Sequence, residues 1–362
     1  MSDSRDLDNA KTTPVVFGII GAGEITRMVA PALASFRLIR VAAVASRSQR
    51  AAESVAATVG GAEVFADFRD LLGRGDVKAV YIATPPHLHR EMTIAAIEAG
   101  KHVVCEKPFA MNTRELAEVS EAYRRRKDLK IASCSSRFLV CPSARKAREM
   151  LLSGKIGDML RVRFSVAMPP LIPISSLPVW KRDRATSGGG LLMDWGVYDL
   201  DWFRFVLGAA FDPVAVFAKT DCWGYGREGL ETGFSAEILC RSGLRVTWER
   251  RSEQGPVFQR AEIRGTVGGM DLPFMPGDAT KALTVYSLDR GGELRTETTH
   301  ESVSGWDQIL AHPIFDLAEA IASGGPVASQ LSSQCMIHSV IEAVYGSSAT
   351  GRLFQVSPDP VP

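Results

Sequence analysis

Over the first 140 residues, short apolar runs alternate with stretches whose apolar positions recur at helical spacing. The apolar runs cover 15–20, 40–45, 77–83, 102–105 and 131–133. The helical stretches cover 25–36, 49–59, 89–99 and 116–126. This alternation predicts parallel βαβ units and a doubly wound sheet. Pro31 falls inside the first helix, where it should remove one backbone bond and bend the axis. Beyond residue 140 the pattern changes. A helix over 143–152 stops at Gly154, and a proline-rich stretch, "MPPLIPISSLP", occupies 168–178. Runs rich in β-branched and aromatic residues then cover 159–167, 213–219, 232–240, 244–250, 257–264 and 282–287, predicting an open, mostly antiparallel sheet. Helices over 306–323 and 331–349 close the chain. The expected fold is α/β, with a loose tail at 1–13, a doubly wound domain at 14–137 and a second domain at 138–362.

Composition narrows the function. With 42 basic and 41 acidic residues the net charge is +1, so nothing points to nucleic acid or an anionic membrane. The first dozen residues are polar, and no apolar run reaches membrane-spanning length. The six cysteines (105, 134, 141, 222, 240 and 335) form no C-x-x-C pair. They read as buried thiols of a reducing compartment, which places the protein in the cytoplasm. No metal site is expected: His87 and His89 have no third ligand nearby.

The chemistry begins at "VVFGIIGAGEIT". Gly21 and Gly23 follow the first strand, and Glu24 and Ile25 open a helix. Glycines there let a pyrophosphate rest on the helix N-terminus, which points to a dinucleotide. Thr26 stands where the third glycine of the pattern would be. The second strand ends in "ASRSQR", with Ser46, Arg47 and Arg50 and no acidic residue. An acidic residue would grip the ribose of NAD, whereas two guanidinium groups suit a 2′-phosphate. NAD(P) is therefore the expected cofactor, leaning to NADP. "ATPPHLH" and "CEKP" end two further strands at the same sheet edge, adding Thr84, Pro85, His89, Glu106 and Lys107 to the cofactor side. Far along, "SGGGLLMDWGVYDLD" spaces Asp194, Tyr198 and Asp201 at i, i+4 and i+7 on an otherwise apolar helix. Buried carboxylates need partners, and Lys107 is the candidate across a cleft.

At these residues the chain resembles the Gfo/Idh/MocA oxidoreductases, whose name joins glucose–fructose oxidoreductase, inositol dehydrogenase and rhizopine catabolism. The resemblance rests on "GIIGAGEI", "TPPHLH", "AGKHVVCEKP", "SRFLVCPSARKAREMLLSGKIGD", "GGGLLMDWGVYDLD" and "IEAVYGSSATG". It implies a Rossmann domain, a second α/β domain, and oxidation or reduction of a secondary alcohol on a sugar, glycoside or polyol. It further implies that Lys107 reaches the reacting hydroxyl, that the Lys107–Pro108 peptide is cis, and that a homodimer or homotetramer forms. Tyr198 stands where most members carry histidine, as in the tyrosine-type branch.

The expected roles follow. Tyr198 relays the proton, Lys107 stabilises alkoxide character, and Asp194 aligns Lys107 or a sugar hydroxyl. Arg137, Trp180, Lys181 and Arg182 are substrate-pocket candidates by family position, with His312 a further candidate. Asp201 is expected to be structural, and the loop at 168–179 a lid. Two rival readings share the fold: cleavage of a glycosidic bond through transient sugar oxidation, and a non-catalytic dinucleotide sensor.

Overall fold

The first sheet contains β1 (Val15–Ile20), β2 (Ile39–Ala45), β3 (Glu63–Phe65), β4 (Ala79–Ile82), β5 (His102–Cys105) and β6 (Ile131–Ser133). Their order is β3-β2-β1-β4-β5-β6, and every neighbouring pair is parallel. The connecting helices are α1 (Glu24–Ser35), α2 (Gln49–Thr58), α3 (Phe68–Leu72), α4 (His89–Glu98) and α5 (Thr113–Arg124). Helices cover both faces, so the central strands are continuous apolar runs; Ile19, Val44, Val80 and Val104 are fully buried. The strand order reverses between β1 and β4, which opens a crevice at their carboxyl ends. Helix α1 is continuous through Pro31, which lies on its exposed side. The short β3 and α3 escape the sequence pattern because they are brief and half exposed.

These features come from a computed structural model that describes residues 13–170, 176–222, 230–274, 282–288, 291–299 and 305–357. Residues 1–12 of the expected tail and the middle of the expected lid, 171–175, lie outside the described residues.

After a 3₁₀ turn (Cys134–Val140) come α6 (Pro142–Leu152), β7 (Met159–Met168), α7 (Arg184–Ser187) and α8 (Val197–Leu207). Then follow β8 (Pro213–Asp221), β9 (Gly233–Cys240), β10 (Arg245–Ser252), β11 (Phe258–Gly265), β12 (Gly268–Leu272), β13 (Leu283–Leu288) and β14 (Leu294–Thr299). Helices α9 (Trp306–Ser323) and α10 (Leu331–Thr350) precede a short β15 (Phe354–Gln355). The second sheet runs β14-β13-β12-β11-β7-β10-β9-β8-β15. It is antiparallel except where β10 pairs with β7. One face carries alternate buried residues such as Val246, Trp248 and Arg250 against α8 and α10. The pattern did not reveal β12, β14 or β15; β14 is almost wholly exposed and β15 spans two residues.

The last two helices bind the halves together. Ala311, Ile314, Leu317 and Phe315 of α9 join the core of the parallel sheet, where Phe315 stacks on Phe36 with centroids 4.1 Å apart. Leu331 and Cys335 of α10 enter the core on that sheet's other face, while Ser347 accepts a hydrogen bond from the Ala218 N–H of β8 at 2.9 Å. Among the described residues no helix is long and apolar enough to cross a membrane. Phe315→Ala is expected to lower unfolding free energy by roughly 3–5 kcal/mol. Urea unfolding checks this, and an unchanged midpoint would mean the α1–α9 seam adds nothing to stability.

Candidate active site

The glycine loop is constrained at its first glycine. Gly21 has φ +105°, and a Cβ there would lie 2.5 Å from the carbonyl oxygen of Ala83. A Cβ on Gly23 would instead meet open space, and α1 starts with no side-chain cap. Thr26 is fully buried and donates to the Gly21 carbonyl at 2.8 Å, closing the loop from within where a third glycine was expected. An uncapped helix start above an open floor fits a dinucleotide phosphate. Ser46, Arg47 and Arg50 stand past the end of β2. Both arginines are exposed, and neither is ion-paired among the described residues. Thr84 and Pro85 lie past the end of β4, at the same edge as the glycine loop.

Lys107 projects from the end of β5, next to a cis peptide to Pro108. Its Nζ donates to Asp194 Oδ1 at 2.5 Å and to the Asp194 carbonyl at 2.6 Å. Asp194 also meets Lys181 Nζ at 3.3 Å. Burial would lower the Lys107 pKa, but Asp194, with Tyr198 and Glu106, outweighs it and the pKa lies above the usual lysine value. Burial would likewise raise Asp194; Lys107 and then Lys181 hold it well below the carboxylate range. Both residues line a cavity of about 400 Å³ together with Glu24, Pro108, Trp180, Lys181, Arg182, Trp195 and Glu231. Glu24 opens α1, so the cavity reaches the glycine loop. Met168, Pro169, Pro170 and Leu177, which flank the undescribed part of the expected lid, also border it.

Asp194 does not share a regular helix with Tyr198. A π-helical turn, Leu192–Gly196, precedes α8 and breaks the i, i+4, i+7 stripe. Asp194 faces Lys107, while the Tyr198 hydroxyl accepts from Arg137 NH1 at 3.0 Å. Asp201 accepts from Ser135 Oγ at 2.6 Å and from Arg204 Nε at 2.9 Å, a structural role as expected. The Lys107 ammonium lies 4.8 Å from the Tyr198 ring centroid, over the ring. Tyr198 is only 5% exposed, and its hydroxyl belongs to a buried network. The Tyr198 ring thus makes a cation–π contact beneath Lys107, and its hydroxyl meets Arg137.

Four further expectations change. Arg137 does not line the cavity. It is 1% exposed and forks onto Glu106, with NH1 3.0 Å from Oε2 and NH2 on Oε1, while its Nε donates to the Leu310 carbonyl at 2.9 Å. Glu106 is likewise buried, its carboxylate taken up by protein partners. It also accepts from Tyr81 at 2.6 Å, and Arg137 overrides burial to hold its pKa at about 2. His89 is fully buried, its ring nitrogens 2.8 Å from the Pro108 and Thr84 carbonyls, so its side chain is committed to the backbone beside Lys107. His312 lies away from the cavity on α9; burial, then Arg145, lowers its pKa to about 4. Trp180, Lys181 and Arg182 do line the cavity.

The sequence pattern did not reveal one helix face that holds both the Lys107 and the Asp194 segments. On α10, His338, Glu342 and Tyr345 are spaced i, i+4 and i+7. His338 Nε2 lies 2.9 Å from the Ala110 carbonyl, and Glu342 accepts from the Thr113 N–H at 2.8 Å; both contacts fall on the Lys107 loop. Tyr345 donates at 2.8 Å to Glu231 Oε1, which also accepts from the Gly190 and Leu192 N–H groups before Asp194. The glycine triplet makes room for this. A Cβ on Gly189 would lie 2.1 Å from the Tyr345 hydroxyl, and one on Gly190 2.1 Å from the Glu231 carbonyl oxygen.

Residues 15–132 match the GFO/IDH/MocA oxidoreductase family with its NAD-binding Rossmann fold, and 144–271 match the GFO/IDH/MocA C-terminal domain. The chain belongs to this family. A 1,5-anhydro-D-fructose reductase of Ensifer adhaerens is 32% identical over 257 residues, covering 70% of this chain and 74% of that protein. An NADP(+)-dependent scyllo-inositol 2-dehydrogenase of Bacillus subtilis is 33% identical over 254 residues, again 70% and 74%. A levoglucosan dehydrogenase solved with NADH and levoglucosan superposes with a TM-score of 0.84 at 24% identity, over 96% of this chain and 100% of that one, and shows the shared fold. As a GFO/IDH/MocA protein the chain is an NAD(P)-dependent oxidoreductase acting on CH–OH groups.

Arg137→Met is expected to cost roughly 3–5 kcal/mol by leaving Glu106 charged in the core without its guanidinium partner. Glu106 titrates below its unfolded value of 4.5. Its contribution is therefore complete above pH 4.5 and lost as pH falls towards 2. Chemical unfolding across that window should show the acid-side slope in the wild type and a shallower one in the variant.

Proposed function

We propose that the protein interconverts a secondary alcohol and a ketone on a sugar or polyol, with Lys107 as the group that exchanges the proton. The observation that carries this reading is the Lys107 Nζ–Asp194 Oδ1 contact of 2.5 Å on the wall of the cavity that reaches the glycine loop. The dinucleotide, when bound, supplies or accepts the hydride. Gly21, Gly23 and the start of α1 would hold its phosphates, and Ser46, Arg47 and Arg50 its adenosine end. Arg47 and Arg50 favour NADP, because a 2′-phosphate gives each guanidinium an anion to meet.

The resting charges set the proton's starting place. Lys107 is held above its ordinary pKa, so Nζ carries the proton at neutral pH and can donate it to a carbonyl oxygen. In the oxidising direction Lys107 must first give its proton up, against Asp194. Lys107 is thus poised for reduction, and the alcohol-oxidising rate should climb with pH. Asp194 aims the ammonium, Lys181 shares the carboxylate's charge, and the Tyr198 ring supports the cation from below. A homo-oligomer built on the open sheet face is consistent with this reading.

Steady-state assay of sugars, inositols and ketoses with both dinucleotides tests the reading; turnover of none would end it. Lys107→Ala should lower kcat by about 10²- to 10⁴-fold. Tyr198→Phe should lose less than about tenfold, since its hydroxyl serves Arg137 and not the substrate. A Tyr198→Phe enzyme as dead as Lys107→Ala would restore the tyrosine to the proton path. Fluorescence titration of the Arg47→Ala/Arg50→Ala protein should show NADPH binding weakened roughly 10- to 100-fold with NADH unchanged. Equal weakening of both would refute the preference.

A further inference from the structure

Among the described residues, one cationic side chain on the wall of the cavity beside Lys107 has no carboxylate partner. Lys107 and Lys181 share the single carboxylate of Asp194, at 2.5 and 3.3 Å. Next to Lys181 on the same short turn, Val179–Arg182, the side chain of Arg182 also borders the cavity. Its Nε is buried with no hydrogen-bond partner, and among the described residues no carboxylate pairs with it. The other two arginines on the wall are committed, Arg250 to Asp199 at 2.6 Å and Arg251 to Glu249.

Two remaining acids leave this imbalance in place. Glu231 spends Oε1 on two backbone N–H groups and Tyr345, and its Oε2 is buried away from solvent. Glu24 is exposed at the far edge, on the glycine loop. Near the lysines the wall therefore sets Lys107, Lys181 and Arg182 against the carboxylates of Asp194 and Glu231, and among the described residues neither carboxylate pairs with Arg182. A guanidinium stays protonated at any working pH and is shaped to take two oxygens of one anion.

We propose that Arg182, with Lys181 beside it, binds an anionic group on the substrate, so that the enzyme acts on an acidic sugar or polyol. This deepens, and rests on, the reading of the protein as a sugar oxidoreductase. A carboxylate and a phosphate ester present the same paired oxygens, and matched probes separate them. The phosphates of the dinucleotide are the competing source of the anion, and a cofactor titration separates that case.

The test uses the full chain, with and without saturating NADP or NAD. D-glucose is compared with D-glucuronate and D-glucose 6-phosphate, and D-sorbitol with D-gluconate. Quenching of Trp180 and Trp195, both on the cavity wall, reports binding, and kcat/KM is measured alongside. The acidic member of a pair should bind about tenfold or more tightly than its neutral partner, and less so as salt is raised. Arg182→Gln should abolish that preference with cofactor binding unchanged, and Arg182→Lys should keep part of it. Equal or tighter binding of the neutral partners overturns the proposal while leaving the sugar oxidoreductase reading intact. Weakened dinucleotide binding in Arg182→Gln with the substrate preference unchanged also overturns it, and gives Arg182 to the cofactor. If no probe binds or turns over with either dinucleotide, the functional reading falls and the proposal with it.

Discussion

The ion pair between Lys107 and Asp194 is the contact on which the site depends. Its two members come from different sheets' surroundings: the lysine ends β5 of the parallel sheet, and the aspartate sits in the π turn before α8. Neither group is stable in that position alone, because each is partly withdrawn from water and needs the opposite charge. Joining them creates the wall of a cavity and raises the ammonium's hold on its proton at the same time.

That pair works only if two arms of backbone are held in register, and the structure assigns the task to groups outside the cavity. Arg137 fastens Glu106, next in sequence to Lys107, to Tyr198, one turn beyond Asp194. Helix α10 repeats the link from the opposite side through His338, Glu342 and Tyr345. His89 adds a third brace at the Pro108 carbonyl. Apart from the exposed Glu342 contact, these braces satisfy buried or half-buried polar groups, so geometry and satisfaction of polar atoms are achieved together. The glycines at 189 and 190 belong to this scheme: they let Tyr345 and the Glu231 backbone approach closely, which any side chain would prevent.

Reading residues by type alone confuses two kinds of charged group. Arg137, Glu106 and His89 resemble functional residues because they are polar and adjoin motifs, yet burial turns them into supports. Lys181, a pocket candidate in the sequence, does reach the cavity and shares the carboxylate that pairs with Lys107. Tyr198 shows the difference at one residue: a regular helix would have put its hydroxyl on the Asp194 face, but the extra residue of the π turn rotates it towards Arg137.

The order of parallel strands and helices, the glycine loop, and the presence of Lys107 and Asp194 were determined by the sequence itself. Period, turn chemistry and strand ends are local properties and survive in one dimension. Which polar side chains meet the cavity was decided only by the tertiary structure. That outcome depends on where α9 and α10 return across the parallel sheet, on one extra residue in a helical turn, and on which charges find partners over separations of tens to hundreds of residues. Such pairings are set by packing, and no local pattern encodes them.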